Sequence, residues 1–204
     1  MYIKTIPMEC TMPLIHAYFY APNETDHILN RIVTAYDPPF SHCDIQFEDT
    51  MASSVYSGEK VYWKKRGFKK PGYSRITLSA DRAAYERAYT LCAERKERGC
   101  DFDAIGMYSL PLPHFLQAER DNHTFCSKHC SEVLQLAGIR SVGLLDPKTV
   151  TPSMLHRTLQ SNAVLHTDRI DLRIRSLKLA EIFPFSFSIP IAFRSSMFIL
   201  ESSQ

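Results

Sequence analysis

The stretch Thr124-Phe125-Cys126-Ser127-Lys128-His129-Cys130-Ser131-Glu132-Val133-Leu134 constrains the fold of this chain more than any other. Cys126, Cys130, Val133, Leu134 and Ala137 recur at helical spacing, so the segment is expected to fold as a helix that ends at Gly138 and buries one face. Cys126 then falls in the first turn. There the first backbone N–H groups of a helix have no partner within it, and its dipole is positive. A thiolate is stabilised in that position and an oxyanion can be bound beside it, whereas Cys130, one turn deeper, is expected to pack in the core.

The rest of the chain supplies strands for such a helix to lie on. Pro13 to Tyr20 reads as a strand rich in aromatic and branched residues. Thr25 is a candidate N-cap for a helix to Ala35 with Ile28, Ile32 and Val33 on one face, and Asp37-Pro38-Pro39 makes a turn. His42 to Glu48 alternates as a strand, and Asp49-Thr50-Met51 turns it into a second strand from about Ser53 to Trp63. Ser79 is a candidate cap for a helix to Arg98 that carries Tyr85, Ala88, Leu91 and Cys92, ended by Gly99.

Residues 100 to 123 read as irregular, and a long loop in a compact domain is often functional. Thr151-Pro152 opens a short helix to about Leu159, and Val164 to Arg173 reads as a further strand. From Phe183 to Phe193 apolar residues recur at every second position, broken by Pro184 and Pro190. That pattern demands an extended arm at an edge, packed on its own domain or docked on a partner. The organisation expected is a domain over 1–160 with a C-terminal extension over 161–204.

At 204 residues and a formal charge of +2, bulk electrostatics argue for neither nucleic acid nor an acidic membrane. The run Lys60, Lys64, Lys65, Arg66, Lys69 and Lys70 reads first as a solvated loop and second as a patch for phosphate or an acidic partner. Six cysteines without dense spacing, and no signal peptide in view, favour reduced thiols and a cytoplasmic location. No apolar stretch is long enough to span a membrane.

A thiol–imidazole pair works because histidine takes the thiol proton and leaves a thiolate to attack a carbonyl carbon. Cys126 is the candidate nucleophile and His42 the candidate base. A third polar group normally orients the imidazole. Glu48 lies six residues along the same strand and is out of reach at about 3.3 Å per residue. The following strand offers Ser54, Tyr56, Ser57 and Glu59, with the choice among them left to the register. Zinc is the rival reading for His123, Cys126, His129 and Cys130. His129, however, sits about 100° around the axis from Cys130, and no distant Cys-x-x-Cys pair completes a site, so neither metal nor cofactor is expected.

The order of these features resembles the permuted branch of the NlpC-type papain-like superfamily, which includes YiiX-like and lecithin:retinol acyltransferase-like members. Ser41-His42-Cys43-Asp44-Ile45-Gln46-Phe47 is similar to the family's histidine strand. Ala52-Ser53-Ser54-Val55 falls where the family places its third polar residue. Gly99-Cys100-Asp101-Phe102 resembles its Gly-x-x-Tyr-Asp segment, and Phe125-Cys126-Ser127-Lys128 resembles its aromatic-Cys-Ser-Glu helix start. Lys128 stands where glutamate is frequent, and Cys43 where valine is usual.

The resemblance covers about residues 13 to 140. It implies an α+β, circularly permuted papain-like fold whose central antiparallel sheet packs against the Cys126 helix. It also implies a cysteine hydrolase or acyltransferase with Cys126, His42 and, by placement, Ser54 as site residues. The substrates implied are peptide, isopeptide or lipid-acyl, with a groove walled by the 111–120 loop favouring a peptide and a deep apolar slot a lipid. The alternative expectation is a catalytically silent scaffold that docks through residues 181–204.

Overall fold

The computed structural model of the chain describes residues 12–23, 26, 28–110 and 120–161. The proposed strand over 164–173, the arm over 181–204 and most of the 111–120 loop lie outside the described residues, as does the Thr25 cap.

The fold is mixed α+β. Among the described residues, one five-stranded antiparallel sheet has the order β4-β3-β2-β1-β5, formed by β1 (Leu14–Tyr20), β2 (His42–Phe47), β3 (Met51–Ser54), β4 (Tyr62–Lys65) and β5 (Tyr73–Ser79). The helices are α1 (Ile28–Tyr36), α2 (Arg82–Glu97), α3 (Ala104–Tyr108), α4 (Cys126–Leu136) and α5 (Pro152–Gln160). A short parallel pair, β6 (Asp101–Phe102) and β7 (His123–Thr124), ties the segment after α2 to the segment that enters α4.

Alternation along the two central strands creates two differently lined faces. Ile15, Ala17 and Phe19 of β1 and Cys43, Ile45 and Phe47 of β2 enter the main core. α4 meets them there with Cys126, Cys130, Val133, Leu134 and Ala137, the face expected from the sequence. α2 adds Tyr85, Ala88 and Cys92, with Leu91 partly buried against them. The other face carries Tyr18, Tyr20, Tyr62 and Tyr73, covered by Phe68 from the β4–β5 loop. All six residues of β2 are buried, so its polar residues His42, Asp44 and Gln46 lie on a covered face.

Three boundaries differ from the sequence reading. The expected strand from Ser53 to Trp63 is two strands, β3 and β4, separated by a turn at Gly58, whose φ of 77° suits glycine. Ser79 closes β5 instead of capping α2. The cap is Asp81, whose side chain accepts from the Ala83 and Ala84 N–H groups. The region after residue 100 contains α3, capped by Asp103. Thr151 caps α5 as expected, accepting from the Met154 N–H ahead of Pro152.

Candidate active site

Cys126 opens α4, and several bonds fix where that turn sits. The Asp103 N–H donates to the Thr124 carbonyl at 2.7 Å, and the Ser127 hydroxyl donates to the Val150 carbonyl at 2.6 Å. Phe125, in extended conformation at the N-cap, is buried, and no side chain caps the helix there. The first-turn N–H groups are therefore not taken by a capping side chain, which is the state an anion at a helix start requires.

Three groups face the Cys126 sulfur. Hydrogen bonding from the Cys43 thiol lowers its pKa most, burial opposes this, and the His42 imidazole and the Cys43 backbone N–H add to the lowering. The balance holds Cys126 well below the usual thiol range. Cys43 shows the reciprocal effect: burial and its contacts with Cys126 and Cys130 hold it protonated. Burial pulls His42 down, but the Asp44 charge and hydrogen bond, with a further contribution from Cys126, push it well above the ordinary imidazole range. Both shifts favour a thiolate beside an imidazolium over the neutral pair.

Asp44 is the third member. His42 Nε2 donates to Asp44 Oδ1 across 3.2 Å. Asp44 is fully buried, and the same oxygen accepts a short bond from the Tyr62 hydroxyl and a bond of 3.3 Å from Arg66 Nη1. Arg66 also donates to the hydroxyls of Tyr56, Tyr62 and Tyr73, and the Tyr56 ring stacks on the His42 ring with centroids 4.4 Å apart. Burial, the Asp44 charge and its hydrogen bond all raise Tyr62, so its phenol stays a donor. The imidazole is held at one nitrogen by a carboxylate and on one face by an aromatic ring.

The structure brings Cys126 and His42 together and gives Ser54 a different task. The Ser54 hydroxyl donates to the Cys43 carbonyl at 2.6 Å, fixing the backbone between His42 and Asp44, and does not orient the ring. Tyr56 contacts the ring by stacking, while Ser57 and Glu59 are exposed in the turn after β3. Asp44 was missed although a signal existed. Residues two apart on a strand share a face, and an aspartate inside a buried strand needs a partner. Arg66 was likewise hidden in the basic run. Lys60, Lys64, Lys65, Lys69 and Lys70 are exposed, but Arg66 turns inward.

The four candidate zinc ligands do not converge. His129 is fully buried, with Nδ1 accepting from Arg95 at 2.9 Å and Nε2 donating to the Ser53 hydroxyl at 2.8 Å. Among the described residues no group of three or more His, Cys, Asp or Glu side chains is arranged to hold a metal ion.

A cavity of about 480 Å³, in part open to solvent, adjoins Cys126. Ile32, Val33 and Tyr36 of α1 and Met107 and Tyr108 of α3 wall it, and among the described residues that line it none is charged. Ser41 also lines it; its hydroxyl is buried and has no hydrogen-bond partner among the described residues.

No family model matches this chain. No curated protein and no solved structure matches it either. Among the described residues, no helix is long and apolar enough to cross a membrane.

Proposed function

We propose that this protein is a cysteine hydrolase or acyltransferase with a permuted papain-like arrangement, cleaving an amide or ester through an acyl-enzyme on Cys126. The observation that carries the reading is the line from Asp44 through His42 to the thiol at the start of α4. In the forward step the Cys126 thiolate attacks the substrate carbonyl carbon, and the charge gathering on the carbonyl oxygen is met by first-turn N–H groups. His42 then passes its proton to the leaving amine or alcohol. In the second step His42 takes a proton from water or from an acceptor nucleophile, which attacks the thioester and frees Cys126. Asp44 keeps Nε2 occupied throughout, so the other ring nitrogen serves the reaction.

The mostly apolar described lining of the cavity beside the thiol suits an apolar acyl portion, and Ser41 offers it one donor. A buried hydroxyl with no partner is costly unless something bonds to it, and a substrate carbonyl is the acceptor at hand. Cys43 and Cys130 beside Cys126 make a reducing, cytoplasmic setting the natural one, because an oxidised cluster would lose the nucleophile.

The test is labelling with a cysteine-directed acyl probe followed by mapping of the modified residue. Selective labelling of Cys126, abolished by His42→Ala, supports the proposal; equal labelling of every accessible thiol sinks it.

A further inference from the structure

Lys128 lies two residues after Cys126, about 200° around the helix axis, and it faces a second cavity. That cavity, about 590 Å³ and in part open to solvent, is lined by Arg95, Arg98, Arg120, His123, Lys128 and Glu132, among others. Lys128 is only 8 % exposed, and its ammonium makes no hydrogen bond or ion pair among the described residues. The stem of such a lysine is covered while its ammonium opens on the cavity, so the charge is held at a fixed place in the wall.

Neither carboxylate in the cavity wall provides a counter-charge. Glu132 is bound by Arg95 at 2.5 Å. Asp121 is exposed and forms no ion pair with Lys128. Arg98 leans on Glu94 at 3.7 Å. Arg120, like Lys128, has no ion-pair partner among the described residues. Two cations are therefore left over in one concave site, one of them on a buried stem whose position the helix fixes.

We propose that this cavity binds a phosphate group, free or as a small phosphate monoester, with Lys128 and Arg120 as its cationic contacts. A phosphate monoester carries close to two negative charges near neutral pH and several strong acceptor oxygens. Two cations that approach from separate elements can each meet a different phosphate oxygen, and a phosphate offers more such acceptors than a carboxylate does. The site does not depend on acyl transfer at Cys126, and its occupancy is measured without any turnover.

The test uses calorimetry and thermal melting of the full chain with inorganic phosphate and with glycerol phosphate, against sodium chloride at matched ionic strength. Saturable binding of either phosphate compound, with a rise in Tm that chloride does not reproduce, is expected. Lys128→Met is expected to weaken that binding by at least about tenfold, and Arg120→Gln, at an exposed position that leaves the core intact, to weaken it as well. Comparable affinity for both compounds identifies a site for the bare phosphate group, and a clear preference for glycerol phosphate identifies a monoester site. An equal response to chloride, or wild-type phosphate affinity in both variants, overturns the proposal.

Discussion

Asp44 favours the charged form of His42, and the consequence is measurable at the level of one atom pair. Its charge and hydrogen bond push the imidazole well above its ordinary value, while Cys126 is held well below the thiol range. The thiolate–imidazolium pair should therefore persist over a broad pH window. On the acid side it is lost when Cys126 takes a proton; on the alkaline side, when His42 gives one up. Asp44→Asn removes the charge that raises His42, so the alkaline limb of kcat/KM should move toward lower pH. Loss of the oriented imidazolium should lower kcat by roughly a hundredfold to ten-thousandfold. An unchanged alkaline limb would show that Asp44 does not set the His42 proton. Ser41→Ala gives a different pattern. Its hydroxyl is buried without a partner, so its removal should leave Tm unchanged or higher while kcat/KM falls about tenfold or more. A fall in Tm to match the loss of activity would reduce Ser41 to a structural residue.

At the scale of elements, α4 was the most legible part of the chain because its burial is written at helical spacing. Cys126, Cys130, Val133, Leu134 and Ala137 all reach the main core. Leu134 is fully buried there, so Leu134→Ala should cost about 2–5 kcal/mol, visible as a lowered denaturation midpoint. The positions of the two limbs of the pH profile should hold, because no site contact is removed; a shifted limb would mean that α4 packing tunes the ion pair. The strands were read less well, for physical reasons. Extended pattern continues on both sides of Gly58, so β3 and β4 read as one strand, and only a positive φ marks the turn. β5 carries a weak strand signal, because it follows a basic run and ends on Ser79, a residue type that also caps helices. The third site residue was sought on the neighbouring strand, where register decides contact. It lies on the same strand, where alternation alone places it. Arg66 reaches Asp44 from sequence far beyond β2, and nothing local to either residue announces that contact.

The molecule as a whole sets buried histidines against each other across its sheet, and this shapes its stability. His42, raised in the folded state, contributes stability that is fully present below its unfolded value of about 6.5 and is lost as pH rises through its folded value. His129 and His156 act in the opposite direction. Burial and Arg95 hold His129 well below the ordinary range, and burial with Arg157 pushes His156 down to about 4. Both stay neutral in the fold at a pH where the unfolded chain has already protonated them. Their contribution is present above about 6.5 and is lost as pH falls. For His156 that loss runs between about 6.5 and about 4, and for His129 it continues below. Thermal melts should therefore show Tm declining steadily as the buffer is taken from near-neutral pH to about 4. His156 packs against Phe19 and Phe40 with ring centroids 4.9 and 4.4 Å away, so His156→Phe preserves an aromatic ring while removing the titrating group. That variant should show a shallower acid slope in the same interval, with His129 carrying part of the remainder. Parallel slopes for the two proteins would remove His156 from the account and leave the acid sensitivity to the other groups.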